Sequence, residues 1–159
     1  MSNKFIATTR FNDDTFNQNH QYKNKINNKG CIYGSPIPIK NNIPLESYVY
    51  IIEMNNSKNK IQGIGLIINK HCLDKYYRIY QEQDYNRYIY KGNKHLDISV
   101  IEDEYNKKVI YVLEQLLFKG DRHCKRAQGI TELSKWILQN KYKFDFIKCF
   151  NNMFNKYLK

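Results

Sequence analysis

The sequence predicts an α+β fold, a small curved barrel-like sheet followed by C-terminal helices. Three observations predict it. Short β-branched and aromatic runs alternate with turn residues over 4–97. Apolar residues recur at helical spacing over 99–159. At 159 residues and 42% hydrophobic, the chain has material for one core but not for two full domains, so 1–159 is read as a single domain.

In the first zone, Phe5-Ile6-Ala7-Thr8-Thr9 reads as a strand, and Asn12 to Lys29 is polar with no clear period. Pro36 and Pro38 exclude a central strand there but suit an edge or loop. The strongest signal is Tyr48 to Met54, then Asn55 to Asn59, then Ile61 to Ile68: two apolar β-rich runs around a polar turn, the pattern of a hairpin. Gly63 and Gly65 lie two apart in the second run and face the same side, so something is expected to approach that face closely. Tyr76 to Tyr80 and Tyr85 to Tyr90 read as two further strands joined across Gln81 to Asp84.

In the second zone, Ser99 and Glu102 fit a capping box. Ile101, Tyr105, Val109, Val112, Leu113, Leu116 and Leu117 follow at helical spacing, with Gly120 as the stop. Thr131 to Gln139 reads as a short helix carrying Trp136. Asp145 starts a last helix with Phe146, Ile147, Phe150, Phe154 and Leu158 inward.

Composition narrows the function classes. Subtracting 15 acidic from 26 basic residues leaves +11, which favours polyanionic partners. No apolar run approaches the roughly 20 residues of a membrane span, and the segment Met1 to Ile6 lacks the apolar stretch of a secretory leader. Cys31, Cys72, Cys124 and Cys149 are too dispersed for a disulfide scaffold, so an intracellular location is expected. The excess of Asn, Lys, Ile and Tyr matches A/T-rich codons and carries no mechanism.

The sharpest local feature is the segment Phe118 to Gly129. It places Lys119, Arg122, Lys125 and Arg126, opposed only by Asp121, between Gly120 and Gly129 at a helix exit. Cations there suit the negative end of a helix dipole. They also suit a phosphate clamp, with His123 and Gln128 reading a base or sugar, and the charge density favours the clamp. Tyr76, Tyr77, Tyr80, Tyr85, Tyr88 and Tyr90 are interleaved with Lys75, Arg78, Arg87 and Lys91. Rings among cations are what single-stranded nucleic-acid surfaces use; sheet tyrosines facing a core give the same pattern. His71-Cys72 and His123-Cys124 lack zinc spacing, so no metal is expected. No P-loop, G-x-S-x-G or H-E-x-x-H is present, and Glu53 with Lys58 straddles a turn, so no catalytic residue and no cofactor are assigned.

The order of elements over about Phe5 to Tyr90 resembles the PUA-like superfamily, in particular its EVE, YTH and ASCH branches. The resemblance rests on the strand ending in Thr8-Thr9, the segment Gly30 to Gly34, Ile43 to Ser47 feeding Tyr48 to Ile52, and the glycine-bearing strand Ile61 to Ile67. It implies a small curved β-barrel with flanking helices and RNA or modified-nucleotide binding. The tryptophan cages of YTH domains have no counterpart in the matched region, because the only tryptophan is Trp136. Composition and the Phe118 to Thr131 segment also look similar to small proteins of large DNA viruses of eukaryotes.

Three readings follow. The leading one is a non-enzymatic module binding RNA or single-stranded DNA through Lys119, Arg122, His123, Lys125, Arg126 and Gln128, with Arg78, Tyr80, Tyr85, Arg87 and Tyr88 on the tyrosine-rich strands. Gly63 and Gly65 would permit close approach of a strand or ligand. A packaging protein of a viral particle and a small metal-dependent nuclease or base-modifying enzyme are the alternatives. Oligomeric state is left open.

Overall fold

A computed structural model describes residues 4–158. In chain order the elements are β1 (Lys4–Phe11), α1 (Asp13–Lys25), β2 (Cys31–Ser35), β3 (Tyr48–Asn55), β4 (Lys60–Ile68), β5 (Tyr88–Gly92), β6 (Lys94–Asp97), α2 (Glu104–Phe118), β7 (Thr131–Glu132), α3 (Lys135–Leu138) and α4 (Phe146–Tyr157). The fold is α+β. A mixed five-stranded sheet runs in the order β6-β4-β3-β1-β7, and β2 pairs with β5 in a separate two-stranded sheet.

The larger sheet is not closed into a barrel, which corrects the barrel-like expectation. Its edges are β6, of four residues, and β7, of two, and β2 and β5 pair with each other instead of bridging those edges. β1 and β3 are parallel, with α1 and β2 in the crossover between them; the other pairings are antiparallel.

Both faces of this sheet are buried, and that explains the near-continuous apolar run of β3. Tyr50, Ile52 and Met54 point to the side packed by α2, α3 and α4. Val49 and Ile51 point to the side covered by β2, β5 and α1. Along β4 the register shifts between Glu53↔Gly63 and Met54↔Ile61, a bulge that puts Ile61 and Ile64 on the same face although they are three apart.

The hairpin β3–β4 forms as the sequence predicts, and Asp145 caps α4, accepting a hydrogen bond from the Lys148 N–H. Other expectations are corrected. The polar stretch after Asn12 contains α1, whose N-terminus carries a capping box between Asn12 and Thr15. Residues 76–80 are irregular, Gln83–Asn86 is a 3-10 turn, and only Tyr88–Gly92 is a strand. The reason is Asn86, whose side chain bonds the backbone of Ile79 and Tyr80 and folds this segment on itself. Thr131–Glu132 is strand, and the helix carrying Trp136 is a single turn.

Helix α2 starts later than the Ser99 pattern implies. Ser99 lies in a 3-10 turn (Ile98–Val100), held by Asp97, and the N-cap is Asp103. The Asp103 carboxylate accepts from the Asn106 N–H at 3.0 Å and from the Tyr157 hydroxyl, and lies 3.3 Å from Lys156 Nζ. It thereby ties the end of α4 to the start of α2. The Tyr157 bond, above all, holds its carboxyl well below the ordinary 3.8. An acid with a depressed folded-state pKa stabilises fully above its unfolded value and loses that contribution as pH falls. Asp103→Ala should therefore cost about 1–2 kcal/mol in urea unfolding at neutral pH. The gap to the parent should shrink as the pH drops below 3.8; a gap independent of pH would contradict this role.

Candidate nucleic-acid interface

At the C-terminal end of β1 lies a cleft of about 390 Å³. Its walls include Arg10 and Phe11 from β1, Asn56 from the β3–β4 turn, Tyr80 and Tyr85, and Gln128 from the loop after α2. Local bonds fix this junction. The Asn56 N–H donates to the Phe11 carbonyl at 2.7 Å, which extends the β1–β3 pairing by one turn residue. Gly120 leaves α2 at φ +79, and the Cys124 N–H returns to the Leu117 carbonyl at 2.7 Å. The basic loop thus folds back toward β1 instead of running into solvent.

Arg10 holds it there. Nη1 donates to Thr8 Oγ1 at 2.9 Å and to the Cys124 carbonyl at 3.0 Å. Nη2 donates to the Gly129 carbonyl at 2.8 Å, to Thr131 Oγ1 at 3.0 Å and to the Thr8 carbonyl at 3.1 Å. Asn56 Nδ2 adds a bond to the Lys125 carbonyl at 2.9 Å. Among the described residues no carboxylate lies within ion-pair distance of Arg10. Burial pushes its guanidinium down to about 10, with the nearby Cys124 thiol acting the other way, so it stays charged at neutral pH. Two enclosed polar atoms lack partners among the described residues: Arg10 Nε, a donor, and Asn56 Oδ1, an acceptor. Both residues line this cleft.

The residues singled out from the sequence divide into three groups. Tyr80, Tyr85 and Gln128 border the cleft. Tyr80 is only 5% exposed and its hydroxyl accepts from Asn19, whereas Tyr85 is 43% exposed. Arg122, His123 and Arg126 line a smaller neighbouring hollow that shares Ala127 with the cleft. The Arg122 guanidinium lies over the Trp136 ring at 5.4 Å, and His123 Nδ1 accepts from the Lys125 N–H. Lys125 follows at the loop's half-buried turn. Lys119, Arg78, Arg87 and Tyr88 lie outside both hollows. Arg87 is paired with Asp84 at 3.1 Å, and Tyr88 packs edge-on against His71. Tyr77 and Tyr90 are buried, as a sheet-core reading of the tyrosines implies.

Gly63 and Gly65 do mark a close approach, and the chain itself makes it. A Cβ at Gly65 would sit 2.2 Å from the Tyr33 hydroxyl and 2.7 Å from Cys31 Sγ; one at Gly63 would sit 2.7 Å from His95 Nε2 and 2.8 Å from Glu53 Oε1. Tyr33 donates to Glu53 Oε2 at 2.5 Å, and His95 Nε2 lies 2.9 Å from the same oxygen. Glu53 therefore belongs to a buried polar network under the sheet. Among the described residues no three His, Cys, Asp or Glu side chains are grouped to hold a metal ion, and no helix is long and apolar enough to cross a membrane.

Arg10 and Asn56 were not singled out from sequence. The available signal was a lone arginine next to the end of a strand that between Phe5 and Phe11 is otherwise apolar or threonine. No family model, curated protein or solved structure matches the chain.

Proposed function

We propose that the chain is a nucleic-acid-binding module that takes single-stranded RNA or DNA at the Arg10 cleft. The observation that carries this reading is a charged guanidinium without a counter-ion among the described residues, on the wall of a cleft shared by Tyr85 and the basic loop. An enclosed cation without an opposite charge is costly, and an anionic ligand offsets that cost. The volume lies in the range of about 300–1,000 Å³ used for small ligands, enough for one nucleotide. A base would stack on the exposed ring of Tyr85, with the Gln128 side chain on the same wall. Arg122, Lys125 and Arg126 would meet the phosphates that follow. A relation to the PUA-like superfamily is part of the proposal, with the sheet as an opened version of that barrel.

If about four phosphates are neutralised, affinity for a single strand should fall roughly 50-fold between about 50 and 200 mM salt. Lys125→Ala with Arg126→Ala should weaken binding and lower the slope of log affinity against log salt by about 1.4. Fluorescence anisotropy with labelled oligothymidylate and oligouridylate measures both. Unchanged affinity and slope in the double variant would refute the assignment of this loop.

A further inference from the structure

A second basic surface lies at the other end of the sheet. It is a groove of about 1240 Å³, and its lining brings together Lys4, Lys29, Lys75, Lys91 and Lys94 with no carboxylate among the described residues that line it. These lysines come from the start of β1, the loop after α1, the loop before β5, β5 itself and β6. None is in an ion pair among the described residues. The existing contacts of three of them involve neutral oxygens or rings. Lys4 Nζ donates to Asn151 Oδ1 at 2.8 Å, and Lys91 Nζ donates to the Tyr77 hydroxyl at 2.9 Å. Lys75 and Lys91 lie 5.0 and 5.1 Å from the centre of the Tyr77 ring. Asp74, which is not in the lining, accepts from the Tyr77 hydroxyl at 2.8 Å. Five like charges around one groove repel each other and attract a polyanion.

The sheet supplies the floor. Lys4, Tyr48 and Ile68 are register partners on β1, β3 and β4, and Tyr48 and Ile68 remain 39% and 42% exposed. With Ile26, 37% exposed, they are the large exposed apolar side chains of a lining that holds five lysines; that balance suits a sugar–phosphate backbone, which needs cations and tolerates an exposed ring, better than the apolar face of a docking helix. The groove and the Arg10 cleft lie at opposite ends of β1, about 20 Å apart along an eight-residue strand.

We infer that this groove is a second nucleic-acid site, which grips the phosphodiester backbone of a segment separate from the one at the cleft. It rests on the cleft reading only for the class of ligand, since none of its lysines belongs to the cleft.

The test compares the parent with two variants, Lys29→Gln/Lys75→Gln/Lys94→Gln and Lys125→Ala/Arg126→Ala, in anisotropy titrations with labelled oligothymidylate. The three substituted lysines are exposed and make no hydrogen bond or ion pair among the described residues, and equal thermal midpoints verify the fold. Lys75→Glu alone is the second groove variant. The triple variant should lower the salt slope by about 2 and bind roughly tenfold more weakly, in addition to any loss in the loop variant. Parent-like slope and affinity in both groove variants overturn the proposal, whatever the loop variant does. Loss confined to the groove variants upholds the groove and refutes the cleft. Displacement of the oligonucleotide by an equal charge of polyglutamate, at lower concentration than by unlabelled oligonucleotide, assigns the groove to an acidic protein and overturns it as well.

Discussion

Gly65→Ala should unfold about 6–12 °C below the parent, which corresponds to about 3 kcal/mol in a chain of this size. The added methyl would fall 2.2 Å from the Tyr33 hydroxyl and 2.9 Å from Cys31 Cβ, distances that force a shift. Tyr33 cannot yield freely, because it is 1% exposed and its hydroxyl donates to the buried Glu53. Moving it breaks that bond and leaves the carboxylate with His95 alone. Burial, reinforced by the Glu53 charge, raises the Tyr33 pKa well above its ordinary value, so the ring stays protonated as a donor throughout the usable pH range. Combining Gly65→Ala with Tyr33→Phe should recover part of the loss, since the clashing oxygen is gone, and the coupling should exceed about 0.5 kcal/mol. A single variant whose unfolding free energy matches the parent's would mean that β2 does not press on β4 as described.

Arg10→Ala should lose about 3 kcal/mol and, on the proposed reading, the share of nucleic-acid affinity that the cleft contributes. The substitution removes the donors to the Thr8, Cys124 and Gly129 carbonyls and to two threonine hydroxyls, leaving the carbonyls to find water. Arg10→Lys keeps the charge but cannot reproduce the fork, so it should bind weakly and melt between the two. Hydrogen exchange separates this from a general loss of stability. Amides of 119–131 should exchange faster in Arg10→Ala under native conditions, while those of β3 and β4 change only in step with global stability. If protection in the loop were unchanged, Arg10 would not be its anchor.

Much of this fold is legible in the sequence because hydrophobic period and turn chemistry act locally. The β3–β4 hairpin, α2 and α4 all announce themselves through apolar spacing and a polar boundary. α1 does not, since Phe16, Asn19 and Tyr22 are its only inward positions and the central one is polar; Asn19 earns its place by bonding the Ile32 carbonyl and the Tyr80 hydroxyl. The tyrosine segment misleads for a related reason: Asn86 satisfies backbone groups that a strand would otherwise pair. The cleft is half legible. The cation cluster of 119–129 stands out as a run, and Tyr85 as a ring beside charge. Arg10 is a single letter at a strand end, and its importance depends on carbonyls more than a hundred residues away. The lysine groove is invisible from spacing, because its members are scattered from Lys4 to Lys94 and meet only through strand register and loop return.

The β1–β7 pairing also dictates a timetable. Thr131 and Glu132 pair with Thr8 and Ala7, and the Leu133 N–H donates to the Ile6 carbonyl. While the ribosome has yet to make these residues, the first strand has a neighbour only in β3, and its outer rim of backbone groups is bare. Contacts so distant in sequence form slowly because a long loop must close before they do. A nascent chain halted before Gly129 would carry most of its core, an uncovered edge open to pairing with another copy, and no finished wall beside Arg10.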